Sequence, residues 1–104
     1  MVIDERIYTC HPGKVKNFLE VYQRLAKPIQ WPLLGDPIGF FVTEIGELNQ
    51  VVHMWRYESM ADREQRRAKL AVAPGWGDYL DAATPFLLKM ENRILVPTAF
   101  SPLK

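Results

Sequence analysis

His53 is the residue of this 104-residue chain best suited to acid–base chemistry. It sits in the run Val51-Val52-His53-Met54-Trp55, and an imidazole enclosed by apolar side chains can work as a general base or a ligand, its pKa tuned by those surroundings. The plainer role is a structural histidine held by one or two hydrogen bonds. Arg6 and Arg93 fall within β-forming runs, where an apolar interior has no use for charge. They suit a site that orients an anion or a carbonyl, or else ion pairs between strands or between subunits together with Glu44 and Glu91. Tyr8, Trp55 and Tyr57 are suited to wall a pocket for a flat organic molecule, although aromatic residues at strand spacing commonly build core or interface. The expected site is therefore His53 as the catalytic group, with Arg6, Tyr8, Trp55, Tyr57 and Arg93 lining a substrate cavity.

Other chemistries lack their residues. The single cysteine, Cys10, excludes a disulfide framework and a cysteine-based zinc site. It neighbours His11, but adjacent strand residues point to opposite faces, so the two do not form a nucleophile pair. His11 itself belongs to a surface turn beside Pro12-Gly13. Three or four convergent metal ligands are not in view, and neither metal nor cofactor is expected. There is no phosphate-binding glycine loop and no G-x-S-x-G elbow. A net charge of +1 argues against a nucleic-acid binder. Gly39-Phe40-Phe41-Val42 echoes part of an RNA-recognition signature, yet it lies on the second strand and lacks the leading basic residue. Arg63, Arg66, Arg67 and Lys69 read as the solvated face of a helix. No apolar stretch approaches the roughly 18–20 residues of a membrane span, and the first residues do not resemble a signal peptide; a cytoplasmic protein is expected.

The elements that position these residues follow from periodicity. Val2 to Cys10 alternates as a strand and Pro12-Gly13 stops it. Val15, Phe18, Leu19, Tyr22, Leu25 and Ala26 recur at helical spacing, and Pro28 should end or kink that helix near Ala26-Lys27, with one more turn over Ile29 to Leu34. Ile38 to Ile45 and Leu48 to Tyr57 read as strands joined by a two-residue Gly46-Glu47 hairpin, which pairs Val42 with Val51 and Phe40 with His53. Ser59 and Asp62 resemble a capping box opening a helix over Met60 to Val72. A shorter helix runs from Trp76 to Thr84, and Phe86 to Val96 is the fourth strand. The order β-α-β-β-α-β predicts an α+β, ferredoxin-like sandwich: one domain over residues 1–104, with a four-stranded antiparallel sheet and its helices on one side.

The hairpin strands are apolar on both faces. Phe40 and Phe41, Val51 and Val52, and Met54 and Trp55 are neighbours that must point opposite ways. Exposing four such side chains would forgo roughly 1.5–3 kcal/mol each, against a domain stability of about 5–15 kcal/mol. A second copy packed on the open face is the expected cover, which makes the protein a homodimer.

Several linked blocks resemble the NIPSNAP family: Gly39 through Trp55, Ser59-Met60-Ala61-Asp62-Arg63-Glu64, Pro74 with Trp76 and Tyr79-Leu80, Glu91-Asn92-Arg93-Ile94-Leu95, and Phe100-Ser101-Pro102-Leu103. The chain departs from the family pattern at Pro74-Gly75-Trp76-Gly77. The resemblance implies the dimeric α+β barrel superfamily. The family carries no agreed activity; related barrels include cofactor-independent monooxygenases, so the analogy implies an oxygenase-type enzyme acting on a small aromatic or carbonyl compound in the barrel cavity. The alternative it equally allows is a non-enzymatic small-molecule-binding or scaffold protein.

Overall fold

The alternating run at the N-terminus forms strand β1 (Val2–Cys10), the centre around which the other elements assemble. The computed structural model describes residues 1–104, and in it β1 pairs antiparallel with β3 (Gln50–Tyr57) on one side and β4 (Leu87–Leu95) on the other. A short edge strand, β2 (Gly39–Val42), pairs antiparallel with β3, giving the sheet order β2-β3-β1-β4. The helical segments are α1 (Val15–Val21), α2 (Lys27–Leu34), α3 (Met60–Ala71) and α4 (Trp76–Ala83). This is the expected ferredoxin-like α+β arrangement.

The helices lie on one face of the sheet. Tyr8 and Val51 from the strands pack with Phe18, Tyr22, Ala26 and Tyr79 in one core cluster, and Trp55 and Tyr57 pack with Leu34 and Leu70 in another. The face that carries His53 is therefore the covered one.

Pro28 interrupts the first helix near Ala26-Lys27, as expected, without stopping the helical run. Proline offers no N–H to the carbonyl four residues back and its ring crowds that turn. The chain meets this by widening into a π turn over Tyr22–Ala26 and resuming as α2, with Pro28 in its first turn. At Ser59 the expected cap forms: its Oγ accepts from the Asp62 N–H at 3.1 Å, while Asp62 Oδ2 accepts from the Glu58 N–H at 3.0 Å. Helix α4 starts from Gly75, whose φ of +87° favours glycine.

The hairpin keeps its register but not its length. Phe40 pairs with His53 and Val42 with Val51, as expected. Beyond Val42 the ladder stops after the Thr43 N–H to Gln50 O bond, and residues 44–49 form a wider loop in place of the two-residue turn. One cause is visible. Asn49 turns through a φ of +67°, and its carbonyl accepts from the Cys10 N–H at 2.7 Å, drawing the chain toward the end of β1. Ile45 and Leu48, the pair next to the expected turn, stand 93% and 63% exposed in the loop. Glu44 consequently lies in a loop, not a strand. The fourth strand is shorter than expected by a residue at each end; at its start, Thr84–Phe86 closes as a 3₁₀ turn around Pro85.

On the uncovered face, Ile3, Ile7, Phe41, Val52 and Met54 form an apolar field, flanked on β4 by Lys89, Glu91 and Arg93. Arg93 Nε meets Glu5 Oε1 at 2.5 Å, and Lys89 meets Glu91 at 3.4 Å, so Glu91 and Arg93 find separate partners and not each other.

Candidate binding cavity between helices and sheet

Asp4, Arg6 and Tyr8 alternate along one face of β1 and stand opposite Trp55, His53 and Val51 of β3. Pairing places Arg6 directly across from His53, both beneath the helices. A cavity of about 200 Å³ opens there, with the π turn and α2 contributing Tyr22 and Gln30, α3 contributing Arg67, α4 contributing Trp76 and Tyr79, and β4 contributing Leu87 and Met90.

His53 is 1% exposed. Phe40 stacks on its ring at 4.5 Å between centroids, and Tyr8 meets it in a T-shaped contact at 4.7 Å. Trp55 Nε1 donates to His53 Nδ1 at 2.7 Å. An indole nitrogen only donates, so Nδ1 must be bare of a proton. Burial, reinforced by the nearby Arg6 and Arg67 charges and only partly opposed by Asp4, pushes the imidazole pKa down to about 3. The ring is therefore neutral at pH 7, and its one proton sits on Nε2. That nitrogen is buried and meets no partner in the chain.

Arg6 is fastened on two sides: its Nε donates to the Tyr8 hydroxyl at 2.9 Å and its Nη1 to Asp4 Oδ2 at 3.2 Å. Asp4 is fully buried. Burial alone would raise its carboxyl pKa, but the hydrogen bond from Asn92 at 3.0 Å and the charges of Arg6 and Arg63 outweigh that and hold it below the usual carboxylate value. Tyr8 accepts from Arg6, which leaves its own O–H free to donate. On the far wall the Tyr22 hydroxyl accepts from Trp31 Nε1 at 3.1 Å and donates to Gln30 Oε1. The Gln30 amide nitrogen is thereby turned the other way, as a further donor.

The structure brings His53, Arg6 and Tyr8 together around the cavity. Trp55 and Tyr57 stand behind it in the core with Leu34 and Leu70; Trp55 reaches the site through its bond to His53. The Tyr57 hydroxyl is buried without a hydrogen-bond partner, and burial raises its pKa against the pull of the Arg67 charge. Arg93 lies on the opposite face, paired with Glu5.

The basic stretch of α3 is not simply a solvated face. Arg63 reaches down to Asp4 at 3.0 Å, Arg67 lines the cavity, and only Arg66 stays in a surface pair, with Asp62 at 2.8 Å. Arg63, Arg67 and the buried Leu70 follow i, i+4, i+7 spacing, a signal present in the sequence but masked because the helix has few apolar residues to mark its inner side. No group of three or more His, Cys, Asp or Glu is placed to hold a metal ion.

Comparison with known proteins agrees with this architecture. The NIPSNAP family profile matches residues 3–102. A NIPSNAP family crystal structure from Agrobacterium tumefaciens superposes with a TM-score of 0.95 at 45% identity, covering 99% of this chain and 98% of that one. The NipSnap homolog 1 of Danio rerio is 36% identical over 99% of the chain, which spans only 36% of that relative's length and 19% of a Caenorhabditis elegans NipSnap protein. At 8% identity the chain also shares its fold with an antibiotic biosynthesis monooxygenase, with a TM-score of 0.64 over 94% of this chain and 99% of the other. The chain belongs to the NIPSNAP family.

Proposed function

We propose that this protein binds a small aromatic or carbonyl compound in the cavity between its helices and sheet. The observation that carries the reading is the His53 Nε2–H, buried and without a partner, on a side chain that lines the cavity. A buried polar group with no partner costs about 1–3 kcal/mol, and a ligand carbonyl would recover that cost. A cofactor-independent oxygenase-type activity fits the shared monooxygenase fold by analogy. In such a reaction His53 would polarise a carbonyl by donating to it, since Nε2 already holds its proton and Nδ1 is occupied by Trp55. That same occupation favours the second reading, a binding protein without catalysis: the imidazole presents no free lone pair to take a substrate proton.

The proposal includes a homodimer through the uncovered sheet face. Its support is the apolar field around Val52 and Phe41, the latter 54% exposed. A thermal-shift screen of small aromatic carbonyl compounds tests the cavity. Ligands should raise the melting temperature of the protein, and His53→Ala should lose the ligand-dependent rise while its sedimentation stays unchanged. If His53→Ala keeps the full ligand response, His53 has no part in binding; if the variant cannot fold, its role is structural.

A further inference from the structure

We infer that the cavity selects an organic anion, a single-ring carboxylate or enolate, with Arg67 supplying the charge and the His53 and Tyr8 protons receiving the oxygen. This rests on the reading of the cavity as a binding site and names the class of ligand it takes.

The hydrogen-bonding groups left at the cavity call for an acceptor. Most of the polar groups with hydrogen-bonding capacity left at the cavity have a proton to donate, and the Tyr79 hydroxyl can donate or accept. His53 offers Nε2–H, because Trp55 fixes the other nitrogen as an acceptor already used. Tyr8 offers its O–H, because Arg6 already donates to its oxygen. Gln30 offers its amide N–H, because its oxygen already accepts from Tyr22. Arg67 has no carboxylate within ion-pairing distance. No Asp or Glu lines the cavity. A ligand that brought only donors would leave each of these unsatisfied, whereas one with an acceptor oxygen answers several at once.

Charge points the same way. The buried Asp4 is shared by Arg6 and Arg63, so one carboxylate faces two guanidinium groups before Arg67 is counted. The excess positive charge lies beside the sheet and beneath α3, where water screens it less than at the surface. The rest of the lining, including Trp76, Leu87 and Met90, is mostly apolar and fits a hydrophobic body, and about 200 Å³ suits a body of about one ring.

Calorimetric titration of the intact protein at low salt with benzoate and with benzamide, nearly the same in shape but differing in charge, tests the inference. Benzoate should bind at least about tenfold more tightly. Arg67→Gln should bring the two affinities together, and Arg67→Lys, which keeps the charge, should retain a preference for benzoate. Equal binding of the two compounds by the parent protein would overturn the anion assignment and leave the cavity reading standing. Binding of neither at millimolar concentration would overturn both. An unchanged preference in a folded Arg67→Gln protein would overturn the role of Arg67.

Discussion

At the scale of single residues, the account turns on the protonation of His53. In the folded chain its pKa is depressed to about 3, while in the unfolded chain it returns to about 6.5. Below about 6.5 the unfolded state takes a proton that the folded state refuses, so stability is complete above that pH and falls as the medium becomes more acid. The expected slope is about 1.4 kcal/mol per pH unit, approached below pH 6. Asp4, whose folded pKa is also depressed, adds to the loss only below its ordinary value of 3.8. Urea titrations between pH 7 and 4.5 check this: His53→Gln should flatten the dependence, and an equal slope in that variant would assign it to other groups. Part of this chemistry was legible beforehand. His53, Arg6 and Tyr8 stood out as polar or aromatic residues of one parity in strands. Arg67 did not, because a surface arginine and one turned inward have the same neighbours in sequence. Arg93 shows the converse, since strand parity identifies its face but not whether helices cover that face.

At the scale of elements, periodicity located the four strands and the α-helical segments but neither the π turn nor the 3₁₀ turn. The Ser59 cap is an instance where sequence spacing and structure agree on the capping bond from the Asp62 N–H, while the return bond to Asp62 comes from Glu58 in place of Ser59. Ser59→Ala should destabilise the protein by about 1 kcal/mol through α3, measured by chemical denaturation; the same helix carries Arg63 and Arg67 over the cavity, so a ligand response weakened along with stability is also expected. Where elements departed from expectation, the cause was local at Pro28 and tertiary at the hairpin. The proline was expected to end or kink the helix near Ala26-Lys27, and the chain from Val15 to Leu34 is interrupted there by a π turn and runs on, a turn that delivers Tyr22 to the cavity wall. The tight hairpin at Gly46 failed because a bond to β1, forty residues away in sequence terms, competes for Asn49.

At the scale of the whole molecule, the chain is a slab only 18 Å thick by 40 × 36 Å, the depth of one helical layer on one sheet. Apolar residues on both strand faces had pointed to a missing third layer, and the structure puts the helices on the His53 side and leaves Ile7, Phe41, Val52 and Met54 to the other. A second copy seated there predicts a dimer by sedimentation equilibrium at micromolar concentration; Val52→Asp, which places a charge at the centre of that face, should shift it to monomer with the fold intact, and a monomeric parent protein would contradict the proposal. The cavity lies on the opposite side of the sheet, so ligand binding should survive in that monomer. The central claim is that the cavity accepts a ligand oxygen at His53, and crystals soaked with single-ring carboxylates and carbonyl compounds test it most directly. The account predicts bound molecules inside the cavity with an oxygen within about 3.2 Å of His53 Nε2. Ligands found elsewhere with the cavity vacant, or seated there with His53 Nε2 still unpartnered, would contradict it.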